Sequence, residues 1–415
     1  MSDLNRFRYT MESCNHCGQC KWILPSRMWG WDFAEICPIH ARYGFDACSG
    51  QGLLNMARER MENKLQWSTG MAKLVHGCTA CGACDVNCKS VRDMELQETI
   101  YALRQDCAES GFLPEAKRRT AENIRKTGNR HGLPPEERFM RLPEELTEDK
   151  NADTVLFLGC DAYRRPETAL AAIRILKAGG VRFRILREER CCGAYLWRAG
   201  LREQAAEQME RNARLFRERG IRTVITACAE CFGSFRNYYP RVTETPFEIK
   251  HITEIAAELI RDGRLRLKEA EKPLTLTYHD PCMLGRLSEI YVPWEGEIRP
   301  YGLHVPEKHW NRGENGVYDP PREVLKDIPG VTLKEMIRYK EEAWCCGAQA
   351  AETDPDLAAF TAGERLREAA FTGAEAIVSC CPYCRDALSP GGEQPVRYID
   401  LTEFLAAHVR EEAEA

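Results

Sequence analysis

Apolar positions along the chain follow two rhythms. In the first hundred residues the spacing is helical: Leu53, Leu54, Met56, Ala57, Met61 and Leu65 share one face of a helix predicted over 51–65, and 93–107 is spaced in the same way. From 111 to 151 charged residues dominate, Pro114, Pro134, Pro135 and Pro143 interrupt, and few apolar positions remain to bury, which predicts a linker. Beyond it, short apolar runs at 154–159, 181–186 and 223–226 alternate with amphipathic tracts at 167–178 and 202–219. Strand and helix in turn imply a parallel α/β layer. The order returns with strands at 274–278 and 331–333, a helix over 356–372 and a strand at 376–379, so the second half is an internal repeat. The expected organisation is a helical domain over 1–110, a linker over 111–150, and two α/β units over 151–270 and 271–415.

Length agrees with several domains, since 415 residues exceed what one hydrophobic core serves. The 58 basic and 63 acidic side chains leave a net charge of −5, a balance unsuited to neutralising phosphates, so nucleic acid is not an expected partner. No uncharged apolar run reaches the roughly 18 residues of a membrane span, and the first residues lack the apolar stretch of a signal peptide. The expectation is a soluble, cytoplasmic protein, attached to a membrane at most through a partner.

The 21 cysteines change the picture most. An odd count in a long, helix-containing chain argues against a disulfide scaffold, and thiolates clustered at short spacings read as ligands of soft metals. Cys14, Cys17 and Cys20 form C-x2-C-x2-C, with Cys37 the next cysteine; Cys78, Cys81, Cys84 and Cys88 form C-x2-C-x2-C-x3-C, the run of a bacterial two-cluster ferredoxin. Zinc sites use separated C-x-x-C pairs instead. Gly18, Gly82 and Ala83 allow the backbone to curl around a cluster. In such ferredoxins the last cysteine of each run ligates the other cluster. Crossed ligation is therefore expected: one cubane [4Fe–4S] cluster on Cys14, Cys17, Cys20 and Cys88, the other on Cys78, Cys81, Cys84 and Cys37.

The repeated half carries a second pattern. Cys160 ends one strand, Cys191, Cys192 and Gly193 follow after 30 residues, and Cys228 and Cys231 end another strand after 35 more. In the other copy Cys282 ends a strand, Cys345, Cys346 and Gly347 follow after 62 residues, and Cys381 and Cys384 come 34 residues beyond Cys346. Open α/β sheets place their sites beyond the carboxyl ends of parallel strands. Five thiolates converging there exceed the four that saturate zinc or a cubane, which points to a larger or unusual iron–sulfur assembly.

This pattern is similar to the cysteine-rich CCG domain of heterodisulfide reductases. With a two-cluster ferredoxin module before it, the chain resembles the D subunit of heterodisulfide reductase, the iron–sulfur subunit of glycolate oxidase, and the heterodisulfide-reductase-like subunit of bacterial class II benzoyl-CoA reductase complexes. The resemblance implies a ferredoxin-like helical domain followed by two CCG domains. It also implies one noncubane [4Fe–4S] cluster on Cys160, Cys191, Cys192, Cys228 and Cys231 and another on Cys282, Cys345, Cys346, Cys381 and Cys384, with Cys191, Cys192, Cys345 and Cys346 at the centre of any chemistry. The implied function is electron transfer within an anaerobic redox complex, from cubane to noncubane clusters; the alternative is reduction of a disulfide substrate at a CCG site.

Eighteen of the 21 cysteines are thereby assigned; Cys48, Cys107 and Cys380 remain and read as packing thiols. His279 and Asp280, just before Cys282, read as a satisfied histidine and a helix cap rather than a proton donor and its partner. Trp22, Trp29, Trp31 and Phe33, ahead of Cys37, read as a packing face rather than a cluster shield. Gly50 and Gly52 begin a G-x-G, but Asn55 stands where the third glycine belongs; no phosphate-binding loop or C-x-x-C-H occurs. Without a flavin or nucleotide site, the chain is expected to exchange electrons with other redox subunits carrying flavin or iron–sulfur groups.

Overall fold

The computed structural model describes residues 3–28, 30–140, 142, 149 and 151–410. Helices build the first part. Gly50–Met61 starts at Ser49, whose hydroxyl accepts from Gly52 N at 3.4 Å, and Thr69–Gly77 starts in the same way at Ser68; each cap satisfies an amide left over by the first turn. Leu53, Leu54 and Ala57 of the first helix pack with Leu96, Ile100 and Leu103 of helix Leu96–Glu109 in one buried cluster, as the helical spacing requires.

The span read as a linker contains helix Glu115–Thr127, which buries Lys117, Ala121 and Ile124. Its apolar stripe is only two residues wide, too narrow to stand out among its charges. Just past its end, Gly128 O accepts the N–H of Cys191 at 2.6 Å, so the span is stitched to the first repeat.

The repeats hold the sheets. Strands β1 (Thr154–Phe157), β2 (Thr223–Thr226) and β3 (Glu248–His251) lie in the order β1-β2-β3, all parallel. In the second repeat β4 (Leu274–Tyr278), the hairpin β5 (Glu297–Arg299) and β6 (Leu303–Val305), β7 (Val331–Leu333), β8 (Ala376–Ser379) and β9 (Arg397–Asp400) follow, with a parallel sheet ordered β7-β4-β8-β9. The first sheet lacks a full counterpart of β7. Segment 181–186, expected as a strand, buries Phe183, Ile185 and Leu186 but meets β1 only in a bridge between Arg184 and Val155. Its apolar residues are inside as expected; the ladder stops after one step.

The repeats share one core. Helix Pro166–Ala178 of the first packs on Leu401–His408 of the second, and Ile252–Arg261 of the first packs on Asp319–Lys326 of the second. Ala172, Ile252, Leu276, Leu366 and Leu405 belong to this single cluster. One face of each sheet is buried in this shared core, while Val155, Phe157 and Val224 on the other face of the first sheet pack into a second cluster with Met209, Phe216 and Phe235.

Candidate iron–sulfur sites

All 21 cysteines are free thiols. Cys14, Cys17, Cys20 and Cys88 line one small cavity with Gly18, Leu54 and Leu96. Cys17 is exposed and Cys14 and Cys88 are half-buried. Burial, with Asp85 and the neighbouring thiols adding to it, pushes Cys88 above the ordinary thiol range, and burial raises Cys20 to about 11. Cys37 lies deeper, where it interacts electrostatically with Cys78 and Cys81, and Cys84 interacts with Cys37, Cys78 and Cys81. Cys20 also interacts with Cys37 and Cys84, so the two groups adjoin, and Cys37 reaches them although 16 residues separate it from Cys20. That insertion forms three-residue turns at Gln19–Lys21 and Pro25–Arg27 and a bridge between Trp22 and Glu35, which returns the chain toward Cys37.

The aromatic residues of the insertion do not form one face. Phe33 is buried under Arg338, Arg367 and Phe371. Trp22 meets Trp31 and His40 edge-on, while Trp31 is 83% exposed. Trp29 lies outside the described residues.

In the first repeat the turns after β1 and β2 bring Cys160 and Cys228 toward Cys191 and Cys192. The side chains interact in series, Cys160 with Cys191, Cys191 with Cys192, Cys192 with Cys231 and Cys231 with Cys228. In the second repeat the series runs Cys345, Cys346, Cys384, Cys381. Cys282 lies beside Cys345 on the turn after β4, the place Cys160 has after β1. The middle thiol of each set is held down by neighbouring thiols: Cys192 to about 6 through Cys191 and Cys231, Cys346 to about 5 through Cys345 and Cys384. The thiolate is the species that binds iron, so neighbours that favour it at the middle cysteine favour metal binding there. Gly193 and Gly347 follow at φ of +83° and +89°, as a turn facing two adjacent cysteines inward requires; Gly347 N donates to Cys345 Sγ at 3.3 Å.

The charges nearby ask for an anion. Arg104 donates to the carbonyls of Val75, Cys78 and Arg198, and Arg286 to those of Cys81 (2.6 Å), Glu341 (2.7 Å) and Ala343 (2.8 Å). Both guanidiniums are buried, and among the described residues neither has a carboxylate partner. A buried unpaired cation is costly; an anionic thiolate-bound group held by Cys78 and Cys81 would supply the missing charge. Arg198, by contrast, pairs with Glu230 at 2.5 Å and donates to Thr79 O and Ala80 O, which ties the first repeat to the same cysteine loop.

Three further cysteines stand apart from these sets. Cys107 is buried and points its thiol at Phe112 O (3.6 Å); Cys380 is buried against Tyr278 Oη at 3.3 Å; Cys48 packs beside Ile39, Ala350 and Leu357. Asp280 is not a helix cap. It pairs with Arg322 through two bonds of 2.7 and 2.9 Å and accepts Lys340 N at 2.8 Å, because it is buried where a free carboxylate is untenable. His279 is satisfied at one nitrogen only. Arg104, Arg198 and Arg286 escaped the sequence reading, since nothing in their local pattern separates them from the many surface arginines.

Comparison with known proteins fits this geometry. The cysteine-rich domain family (CCG) matches residues 154–236 and 304–389, and the 4Fe-4S dicluster domain family matches residues 10–91. The second CCG match begins beyond Cys282, which the 62-residue interval separates from the rest of its set. The chain is 32% identical over 417 residues to the D subunit of a dihydromethanophenazine:CoB–CoM heterodisulfide reductase of Methanosarcina mazei, covering 92% of this chain and 89% of that protein. It belongs to the family of heterodisulfide reductase D subunits. More distant relatives include a probable iron-sulfur-binding oxidoreductase, FadF, of Bacillus subtilis, at 29% identity over 81% of this chain and 46% of that one. Another is an EtfAB:quinone oxidoreductase of Syntrophomonas wolfei, at 27% identity over 83% of this chain and 48% of that one. The chain spans about half the length of these last two. It is an iron–sulfur redox protein in which a ferredoxin-like 4Fe-4S domain precedes two CCG repeats. Among the described residues no helix is long and apolar enough to cross a membrane.

Proposed function

We propose that this chain is the iron–sulfur electron-transfer subunit of an anaerobic redox complex of the heterodisulfide reductase type. Cys14, Cys17, Cys20 and Cys88 would hold one cubane [4Fe–4S] cluster and Cys78, Cys81, Cys84 and Cys37 the other. Cys160, Cys191, Cys192, Cys228 and Cys231 would hold one noncubane cluster, and Cys282, Cys345, Cys346, Cys381 and Cys384 a second. Groups of this kind supply one-electron redox chemistry.

The observation that carries the reading is the direct side-chain interaction of Cys81 with Cys345, which joins the ferredoxin-like part to the second repeat with no residue between them. At the other end Cys17 is exposed, so the cysteine sets run from a surface where a partner can dock into the interior of the repeats. The partner in this reading is another redox subunit with flavin or iron–sulfur groups, and the complex is cytoplasmic or attached to a membrane through that partner. The naming of the Methanosarcina relatives as one subunit of a reductase supports it. Anaerobic purification followed by metal analysis is the test: about sixteen irons per chain are expected for four [4Fe–4S] clusters, and a zinc-dominated protein overturns the assignment.

One observation favours reduction of a disulfide as a second reading. A cleft of about 460 Å³ opens beside the first cysteine set and shares Arg130, Tyr195 and Tyr383 with it. The Arg130 guanidinium lies 4.0 Å over the Tyr383 ring and pairs with Asp386 at 3.6 Å, so a sulfur compound entering there would reach the cysteines along a wall that carries Arg130 with Asp386 and Glu352. Anaerobic titration with a thiol or disulfide, followed by electron paramagnetic resonance, separates the two: a change in a CCG signal favours chemistry at this chain, and no change favours relay.

A further inference from the structure

The second repeat buries a histidine that its five cysteines do not account for. His279 follows β4 and is pinned to β8, its N donating to Val378 O at 2.8 Å and its O accepting Ser379 Oγ at 3.0 Å. The ring is 1% exposed. Its Nδ1 accepts from Arg365 Nε at 2.9 Å. A guanidinium has only donors, so Nδ1 must present its lone pair and Nε2 must carry the hydrogen. Arg365 cannot easily swing away, because its Nη1 also donates to Glu368 Oε2 at 2.7 Å and to Arg338 O at 2.9 Å. Arg338 Nε in turn donates to the same carboxylate oxygen of Glu368 at 3.1 Å.

The other end of the ring has no such partner. Nε2 is buried without an acceptor among the described residues, and such an orphan donor costs about 1–3 kcal/mol. A ring nitrogen of His279, Cys346 Sγ and Cys384 Sγ all lie within 4.8 Å of one another. The missing acceptor is therefore sulfur, and a nitrogen whose lone pair is replaced by a hydrogen donates to that sulfur instead of binding iron.

We propose that His279, held as its Nε2–H tautomer by Arg365, donates a hydrogen bond to a sulfur of the iron–sulfur cluster carried by the second repeat and raises its reduction potential. The proposal rests on the cluster assignment given above. A hydrogen bond to cluster sulfur stabilises the electron-rich reduced form more than the oxidised form, which is how surrounding groups tune such clusters. At the matching place in the first repeat no histidine follows the strand: Leu158 and Gly159 stand between β1 and Cys160, and both give their N–H to the carboxylate of Glu189. Electrons reaching the repeats through Cys81 and Cys345 would then enter at a site that His279 makes easier to reduce. In this arrangement Arg365 is a positioning residue.

The test is a redox titration of the full, iron-loaded chain by electron paramagnetic resonance. In His279→Phe the second-repeat signal, assigned by its loss in Cys346→Ser, is expected to become harder to reduce. Its oxidised-to-reduced ratio at a fixed poise should rise about tenfold, or ~59 mV for a one-electron couple. The first-repeat and cubane signals should not move, and His279→Gln, which keeps an N–H donor, should recover part of the shift. An unshifted second-repeat signal in His279→Phe overturns the proposal. Wild-type protein labelled with nitrogen-15 histidine provides a check that needs no variant: pulsed resonance should show one weak nitrogen coupling on the second-repeat signal. A strong coupling, as from a directly bound nitrogen, or none at all, overturns it. Absence of both noncubane signals from wild-type protein refutes the cluster assignment itself, a failure distinct from an unshifted potential.

Discussion

In the first repeat the turn after β1 is closed by Glu189, whose carboxylate accepts from Leu158 and Gly159 and pairs with Arg138 at 3.0 Å. In the second, the turn after β4 carries His279 and Asp280, and these are held by Arg365 and Arg322 arriving from elsewhere. Both repeats send an arginine to the ferredoxin-like loop around Cys81, but Arg198 comes with Glu230 and Arg286 comes with carbonyls alone. Strand topology fixes where the sulfurs go, so the two sets match. What lies around them is contributed by separate segments, and there the repeats diverge: the second has the direct link through Cys345, and it also supplies most of the wall of the cleft beside the first set, to which the first repeat contributes Tyr195.

Removing one central cysteine from each repeat has the largest expected effect. Cys192→Ser and Cys346→Ser should each lose about four irons and one noncubane signal while the cubane signals persist; one variant emptying both sites would show that the common core makes loading cooperative. Next come the two arginines. Arg198→Met strands a buried Glu230 and should cost about 3–5 kcal/mol; Arg286→Met leaves carbonyls without donors, about 1–3 kcal/mol, and also removes the cation that would face a cluster at Cys81, so it should lower iron retention as well. Denaturant titration of the loaded protein under anaerobic conditions orders the two.

The glycines sharpen the comparison further. A left-handed φ costs a side-chain-bearing residue about 1–2 kcal/mol, so Gly193→Ala and Gly347→Ala share that penalty. A Cβ at 347 also falls 2.8 Å from Ala358 O and Thr361 Cβ, while at 193 it meets the flexible Met209 side chain at 3.1 Å. Gly347→Ala should therefore be the less stable by about 1–3 kcal/mol of overpacking.

An effect confined to particular pH windows concerns the helix caps after β3 and β9. Burial holds His251 down to about 3, and it holds Asp400 up to about 7. Unfolded histidine titrates near about 6.5, so below that pH the unfolded chain binds a proton that folded His251 refuses, and stability falls as pH drops from 6.5 toward 3. For Asp400 the sign reverses: the folded chain keeps a proton the unfolded one releases, and stability falls as pH rises from about 4 toward 7. His251→Asn should flatten the acid side of the stability profile and Asp400→Asn the neutral side; unchanged slopes would show that neither cap contributes to the pH dependence.

The residues that form the parallel ladders were legible where they were continuously apolar, as in β2, β4 and β8. The edge strands β3 and β9 were not, because Glu248, Lys250, Arg397 and Asp400 interrupt their apolar positions. Segment 181–186 failed in the opposite sense: its apolar residues are buried, but only Arg184 reaches β1. Helix Glu115–Thr127 was hidden by its charges.

Cysteine spacing alone picked out the runs of thiols and the repeat, because the motifs recur at short spacings and at matching strand ends. Sequence carries no distances between segments far apart in the chain. That Cys81 meets Cys345, that Arg286 is left to pair with whatever charge the cysteines hold, and that Arg365 fixes the hydrogen of His279 were decided by tertiary packing. Each depends on burial, which removes water as the alternative partner and leaves the charge or the N–H only what the fold brings beside it.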